Sequence, residues 1–217
     1  MPDRNTKTRL LDAAEELVAN KGFDATSLRA ITTAAGVNLA AANYHFGSKE
    51  ALVAAVFKRR VEPVNRQRLE RLTALEAEYG DSPVPLPSIL DAFLAPAFRY
   101  LAGTRGAETL LRLHGRLHAE PGECWFAIFL ELFREVAERY TAALGKALPA
   151  LPRDEVVWRF QFMLGMLVYT MSQLRQIEHI ICRPPGRDPQ EITLRLVTFL
   201  EAGFLAPAPG PRAGTAS

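Results

Sequence analysis

Two scarcities in this 217-residue sequence exclude whole classes of protein. The only cysteines are Cys124 and Cys182, too few for a disulfide framework or a cysteine-only metal site, and this indicates a reducing compartment. The longest uncharged stretch of the C-terminal half, residues 160–174, has 15 residues and is too short to span a bilayer. No basic segment followed by an apolar run begins at Met1, so no secretory signal is expected. We therefore expect a soluble, cytoplasmic protein.

Neither positive nor negative charge is in large excess, because the chain has 26 Lys+Arg and 24 Asp+Glu and therefore a formal net charge of +2. Residues 1–60, however, hold nine Lys/Arg and six Asp/Glu, a net of +3, which leaves 17 against 18, a net of −1, for the remainder. This division is compatible with a small nucleic-acid-binding head on a neutral body. A solvated helix face would give the same counts, so the sequence pattern must decide.

Apolar residues recur at helical spacing almost throughout, and no segment alternates as a strand does. Leu10, Ala14, Leu17 and Val18, for example, fall on one stripe of a helix. We therefore predict an all-α protein whose helices are broken at glycines and prolines. The predicted helices cover residues 4–20, 28–35, 39–46, 49–79, 88–101, 107–118, 123–148, 154–181 and 189–205.

The segment with the clearest functional pattern is 26–57. It contains two predicted helices of about eight residues joined by a glycine turn, the spacing of a helix-turn-helix that seats its second helix in the DNA major groove. We expect Leu28, Ile31 and Ala35 to point inward from the first helix, with Val37 and one of the following alanines beneath the second. Helical corners of this kind also occur in all-α proteins that do not bind DNA.

The side chains of the second helix favour the DNA-binding interpretation. This helix and its start offer Asn38, Asn43, Tyr44 and His45 as hydrogen-bonding groups and carry no acidic residue. Asparagine can pair bidentately with adenine, and Arg29 on the preceding helix could pair with guanine. In addition, a serine-capped helix N-terminus followed by Lys49 is suited to a phosphate, because free N–H groups and the helix dipole favour an anion.

These residues resemble the DNA-binding domain of the TetR family of transcriptional regulators. The resemblance covers about the first 60 residues, and its motifs are Ala35-Gly36-Val37-Asn38, Tyr44-His45-Phe46 and Ser48-Lys49-Glu50-Ala51-Leu52. It implies a three-helix helix-turn-helix domain over residues 1–60 and a larger helical effector-binding and dimerisation domain over residues 61–205. Residues 206–217 lack apolar periodicity and are predicted to be disordered.

The resemblance also implies which residues contact DNA. Contacts to base edges are implied for Arg29, Ala40 and Asn43. Contacts to the DNA backbone are implied for Ser27, Tyr44, His45 and Lys49. The family often has an aromatic residue where this chain has Asn43, so the contact made there is expected to differ. Packing between helices is an equally weighted alternative for His45.

The predicted helix over residues 154–181 is apolar on two sides. One stripe contains Phe160 and Leu167, and another contains Trp158, Phe162 and Tyr169. A helix that is apolar on two sides must be covered on both, which indicates a position between its own core and a partner subunit. Together with the helix over residues 189–205 it could form a two-fold four-helix interface in a homodimer.

A hydrophobic effector is the remaining expectation. The family resemblance implies a cavity, for which the candidate lining residues are Phe93, Phe126, Phe129, Phe133, Phe162, Met166 and Tyr169. Such residues are more often plain core. Residues 158–174 and 36–46 look most like the TetR subgroup that senses long-chain fatty acids or their thioesters and controls β-oxidation. A drug-sensing repressor of efflux is the alternative, and a helical ligand-binding protein that no longer binds DNA is a second one.

No pattern in the sequence indicates an enzyme, a metal or a cofactor. His114 and His118 are four residues apart and could share a helix face, but Gly115 and the Pro121-Gly122 pair loosen the geometry, so no metal site is predicted. No nucleophile motif or phosphate-binding loop stands out. We therefore expect a dimeric repressor that binds a palindromic operator in double-stranded DNA and is released by a hydrophobic effector.

Overall fold

The computed structural model describes residues 4–103, 123–182 and 188–210, and in these ranges the secondary structure is helical without a strand. The helices are α1 (Arg4–Lys21), α2 (Leu28–Ala35), α3 (Leu39–Phe46), α4 (Lys49–Tyr79), α5 (Leu86–Gly103), α6 (Glu123–Ala147), α7 (Arg153–Ile180) and α8 (Pro189–Leu205). The all-α prediction is confirmed, and these helices begin and end within two residues of their predicted positions. The predicted helix at 107–118 lies outside the described residues. In the part of the chain that is described, no helix is long and apolar enough to cross a membrane.

The chain divides into two compact units, each made of two segments. We call Met1–Gln67 with Tyr100–Glu135 the head unit, and Arg68–Arg99 with Val136–Ser217 the body unit. Helix α4 contributes residues to both. The division predicted from the sequence, at residues 60 and 205, stays a prediction.

The core of the head unit joins α1, α2, α3 and the first part of α4. Its buried members are Leu10, Leu11, Ala14, Val18, Ala19, Ile31, Ala35, Ala42, Leu52, Val53, Val56 and Phe57. Leu28 and Val37 are partly buried against this cluster, as predicted. The alanines at the contact between α2 and α3 let two short helices approach closely, so a small core holds the helix-turn-helix in place.

A buried carboxylate ties α1 to α4 in the head unit. Glu15 accepts hydrogen bonds from Arg59 and from Arg60, whose Nη2 lies 2.8 Å from Oε1. The other terminal nitrogen of Arg60 lies 3.5 Å from the Tyr100 hydroxyl. Burial alone would lower the pKa of Arg60, but the hydrogen bonds to Glu15 and Tyr100 outweigh it and raise that pKa. The first and fourth helices are therefore held together by charge as well as by apolar packing.

Aromatic rings fill the core of the body unit. Phe93 is fully buried, and its ring meets Tyr140 and Phe160 edge-on at centroid distances of 5.0 and 5.4 Å. Arg68 stacks on the same ring at 4.0 Å and donates from Nε to the Phe93 carbonyl at 2.9 Å. Burial lowers the pKa of Arg68 to about 10. Phe93, predicted as a cavity residue, is thus in close-packed contact with its neighbours.

A second buried arginine joins the start of α7 to the end of α8. The terminal nitrogens of Arg159 donate to four backbone carbonyls at the α8 C-terminus, those of Gly203, Phe204, Ala206 and Pro207, at 2.7–3.3 Å. Its Nε pairs with Glu155 at 2.9 Å. Carbonyls that a helix leaves unsatisfied at its end are satisfied here by one guanidinium. The structure therefore differs from the predicted disordered tail at Ala206 and Pro207, because both are bonded to Arg159.

Candidate DNA-binding surface

Side-chain caps set the start of each helix in the helix-turn-helix segment. The side-chain oxygens of Ser27, Asn38 and Ser48 each accept a hydrogen bond from the backbone N–H three residues later, at 3.1, 2.7 and 3.1 Å. Each bond satisfies one of the N–H groups that a helix N-terminus leaves open. Ser27, Asn38 and Ser48 are thus the caps of α2, α3 and α4. Asn38 is therefore a capping residue whose side-chain amide nitrogen is left to face outward.

Glycines end the two short helices. Gly36 closes α2 with a φ of 62°, and the N–H of Val37 bonds to the Thr32 carbonyl at 3.0 Å. Gly47 closes α3 with a φ of 75° and donates to the Asn43 carbonyl at 2.9 Å. Both positions lie in the left-handed region, which glycine adopts without steric cost. The tight turn between the helices therefore follows from the residue type.

The outward face of α3 carries the residues predicted to read bases. Ala40, Asn43 and Tyr44 are exposed, with 76% of Tyr44 accessible, while Ala42 on the opposite side is fully buried. Positions 40, 43 and 44 share one helix face, because residues three and four apart lie above one another. The face therefore combines a small residue, an amide and a phenol, with no carboxylate in α3 to repel phosphate.

The first helix of the motif contributes the flanking groups. Ser27 and Arg29 are exposed, and the Arg29 side chain stands on α2. Helix α2, like α3, has no acidic residue. The structure thus leaves the predicted base-contacting residues Arg29, Ala40 and Asn43 accessible.

Lys49 and His45, predicted to face the DNA backbone, have contacts with other residues of the head unit in the DNA-free protein. The ammonium of Lys49 donates to the Phe23 carbonyl at 3.0 Å and lies 3.8 Å from the centroid of the Phe23 ring. The imidazole of His45 is flanked by Tyr44 and Phe46 and its Nε2 is buried. This arrangement favours the packing alternative for His45, and the phosphate contacts of both residues stay predictions.

Two basic residues near this segment were not among the sequence candidates. Arg9 of α1 donates from Nη2 to the Gly36 carbonyl at 2.8 Å, so it holds α1 against the turn between α2 and α3. Lys7 lies 6.0 Å from the Phe46 ring. Neither was recognised because both lie on the polar side of an amphipathic helix, where an arginine or lysine carries no motif. Arg9 is exposed and adds positive charge beside the turn.

The candidate effector residues whose side chains the structure describes differ in burial and in the unit to which they belong. Phe93 lies in the body core, whereas Phe162 and Tyr169 are exposed on α7. Phe133 and Met166 are half-buried, and Phe133 belongs to the head unit while Met166 belongs to the body unit. The side chains of Phe126 and Phe129 lie outside the described residues, as do the whole of His114 and His118. Within the described ranges, no group of three or more His, Cys, Asp or Glu could hold a metal ion.

Chemically, the head unit presents an exposed helix that can donate and accept hydrogen bonds, held by caps and glycine turns.

Two family profiles match the chain. One, described as bacterial regulatory proteins of the tetR family, matches residues 10–56, and the other, a tetracyclin repressor-like C-terminal domain, matches residues 91–203. The chain belongs to the TetR family. It is a DNA-binding transcriptional regulator with a helix-turn-helix, in a family that is regulatory rather than enzymatic.

Curated relatives match a short part of the chain. The transcriptional regulator UidR of Escherichia coli K12 is 39% identical over 51 residues, which are 24% of this chain and 26% of that protein. The chain therefore matches about a quarter of the length of the relatives.

Solved structures match the fold over nearly the whole chain. FadR from Bacillus subtilis in complex with stearoyl-CoA is 17% identical with a TM-score of 0.63, covering 90% of this chain and 98% of that one. FadR from Bacillus halodurans, a fatty acid degradation regulator, is 16% identical with a TM-score of 0.62, covering 91% and 95%. A transcriptional regulator from Pseudomonas aeruginosa PAO1, described as putative, is 19% identical with a TM-score of 0.61, covering 91% and 90%. At these identities the likeness concerns the fold alone.

Proposed function

We propose that this TetR-family regulator recognises an operator in double-stranded DNA by placing α3 in the major groove. The observation that carries the proposal is the exposed face of α3, where Ala40, Asn43 and Tyr44 stand together without a neighbouring carboxylate. A helix held by a cap and two glycine turns presents those side chains in one orientation, which base recognition requires.

In this proposal, base contacts and backbone contacts come from different residues. Asn43 pairs with adenine, Arg29 with guanine, and Ala40 contacts a thymine methyl group. Tyr44 and Ser27 contact phosphates, and Asn38 can add its exposed amide nitrogen. Lys49 reaches a phosphate only by leaving Phe23, so its contribution is smaller than that of a lysine that is free in solution.

We further propose that the regulator is a homodimer formed through α7 and α8. Trp158, Phe162 and Tyr169 lie on one face of α7 and are 59%, 60% and 65% exposed, and Phe199 of α8 is also exposed. Spacings of four and seven residues keep the α7 side chains on a single stripe. A row of exposed aromatic side chains is costly in water, and a second copy would cover it. Two-fold symmetry would then match a palindromic operator, with the recognition helices about 34 Å apart.

The proposed response is release of the operator by a hydrophobic effector, which would make the protein a repressor. Support comes from the fold likeness to the two FadR structures, one of which holds stearoyl-CoA, so a long-chain fatty acid or its thioester is the first candidate. The effector acts only if it prefers the conformation that does not bind DNA. A drug-sensing efflux repressor is the alternative, because the same body unit could bind an uncharged or cationic compound.

The first test of this proposal identifies the DNA sites that the protein binds. Genomic fragments retained by the purified protein are sequenced, and the enriched site is titrated with protein at several salt concentrations. A palindromic site whose affinity falls steeply with salt is the expected result. Retention of fragments without a common site, or an affinity that does not change with salt, would contradict it, and retention of no DNA at all would favour a helical ligand-binding protein that no longer binds DNA.

A further inference from the structure

The body unit has an open groove of about 760 Å³ between α4, α5 and α8. Its lining includes Ala74 of α4, Ala95 of α5, and Leu194 and Val197 of α8. None of the candidate effector residues whose side chains the structure describes is among its lining residues. A groove of this volume falls within the size range of small-molecule sites in proteins.

The groove is long and carries its charges in a fixed order. Along α5 the lining runs from Ser88 to Arg99, eleven residues or about 16 Å of helix. Helices α4 and α5 are antiparallel, because Arg68 contacts Phe93 while Arg71 contacts Asp91. The later a groove-lining residue stands in α4, the farther it therefore lies from Arg99.

Two arginines line the groove. Arg99 lies at one end of the α5 lining, and its guanidinium forms no hydrogen bond or ion pair with any described residue. Arg71 lies opposite Asp91, nearer the Ser88 end, and pairs with it through Nη2, while its Nε is buried. Arg99 therefore has donors left for an anion. Of the two acidic lining residues, Asp91 is paired with Arg71, and Glu78 lies toward the end far from Arg99, where it would repel an anion.

The groove is separate from the face proposed for dimerisation. Leu194 and Phe199 are five residues apart on α8, which places their side chains about 140° apart around the helix. Leu194 borders the groove, whereas Phe199 does not line it. A partner subunit that covers the α7 stripe and Phe199 therefore leaves the groove edge of α8 free.

We propose that this groove is the effector site, and that it takes an elongated organic anion with its acidic group at Arg99 and its apolar chain over Ala95, Ala74 and Val197. The site stands on the geometry of the body unit, while its regulatory role rests on the proposed function. Small side chains along the groove leave room for a chain, and Arg99 at one end fixes its direction. An uncharged chain of the same length gains only the apolar part of the interaction.

The direct test is calorimetric titration of the DNA-free protein with octanoate, decanoate and dodecanoate, and with decanol as the uncharged match for decanoate. Ala74→Trp fills the groove from an exposed position, and Ala77→Trp is its control, because Ala77 is exposed on the same helix outside the groove. Arg99→Gln removes the proposed anion ligand, and Arg195→Gln is its control on the solvent face of α8.

Saturable binding of the carboxylates is expected, with decanol about tenfold weaker or more. Arg99→Gln should weaken decanoate binding by a similar factor, Ala74→Trp should abolish it, and both controls should bind as the parent protein does. The proposal is overturned if no carboxylate binds saturably, if Ala74→Trp binds normally, or if decanol binds as tightly as decanoate.

A second measurement keeps the groove and the proposed function apart. Operator binding by Ala74→Trp without ligand should equal that of the parent protein, while decanoate should no longer release it. Operator release that persists in Ala74→Trp would overturn the groove as effector site and leave the regulator intact. If the parent protein shows no sequence-specific DNA binding, the proposed function is contradicted. The calorimetric result would still decide whether the groove binds an anion.

Discussion

In the head unit, the exposed face of α3 consists of small and polar side chains, whereas in the body unit the exposed face of α7 consists of aromatic ones. Asn43 and Tyr44 of α3 can exchange hydrogen bonds with water while they are free. Of Trp158 and Phe162 of α7, whose ring centroids lie 5.9 Å apart, only Trp158 can bond to water, through its single indole N–H, and both rings are otherwise apolar. A face of the first kind suits a partner that is bound and released, and one of the second kind suits a partner that stays.

The two short helices of the head unit and the helices of the body unit also differ in how they are fixed. Local bonds define the ends of α2 and α3, since each cap or turn joins residues within five positions of one another. In the body unit, Arg159 reaches carbonyls more than 40 positions away, and Tyr140 donates to the Arg68 carbonyl 72 positions away. The difference predicts that α2 and α3 tolerate surface changes, while single changes within the body act at a distance.

The largest effect is expected when a charge is placed on the buried face of α7 rather than on its exposed face. Leu167→Asp places a carboxylate at a position that is 4% exposed, and should lower the free energy of unfolding by about 4 kcal/mol or more. Phe162→Asp changes an exposed position, and should keep the helical circular dichroism while sedimentation shows a monomer. A folded dimer of Phe162→Asp with normal operator affinity would place the subunit interface elsewhere.

A smaller loss is expected when the long-range clamp is removed. Arg159→Met leaves the carbonyls at the end of α8 and the Glu155 carboxylate without their donor, and should cost about 3 kcal/mol in denaturant unfolding. The control is Arg195→Met, which removes an exposed pair with Glu191 on α8 and should cost about 0.5 kcal/mol or less. Equal costs for the two variants would show that the buried arginine contributes no more than a surface one.

Within the head, one substitution should change base recognition without changing stability, and another should change stability through the cap of α3. Asn43→Ala should leave the melting temperature unchanged and cost about 1–3 kcal/mol in affinity for the preferred operator, with relaxed discrimination at one base pair. Asn38→Ala should lower the stability by about 1 kcal/mol, because it removes the cap of α3. An unchanged base preference for Asn43→Ala would remove that residue from the reading face.

What the sequence predicts well follows the same division between local and long-range bonds. The caps at Ser27, Asn38 and Ser48 and the turn at Gly36 are visible in the sequence, because each depends on residue type and on a spacing of three or four. The helix bounds also follow from local periodicity. The frame of the helix-turn-helix could be predicted for this reason, while its contacts with DNA stay predictions.

The body could not be predicted to the same depth. Periodicity showed two apolar stripes on α7 but not which one faces inward, and Leu167 belongs to the buried stripe. Arg159 looked like any charged residue of an amphipathic helix, since its carbonyl partners lie on another helix. Phe93 could equally be core or cavity, because both need a large apolar side chain, and the groove between α4, α5 and α8 depends on tertiary packing that no single segment encodes.

The smallest expected effect concerns Lys49, whose two interpretations make different predictions. If its ammonium stays on the Phe23 carbonyl and ring, Lys49→Ala should lower the free energy of unfolding by about 1 kcal/mol and leave the salt dependence of operator binding unchanged. If it leaves Phe23 for a phosphate, the slope of log affinity against log salt should fall by about one unit for every DNA sequence. Lys58→Ala is the control, because Lys58 is exposed on the same helix. We expect the first result, since a lysine that already has a carbonyl and an aromatic ring gains little by exchanging them for a hydrated phosphate.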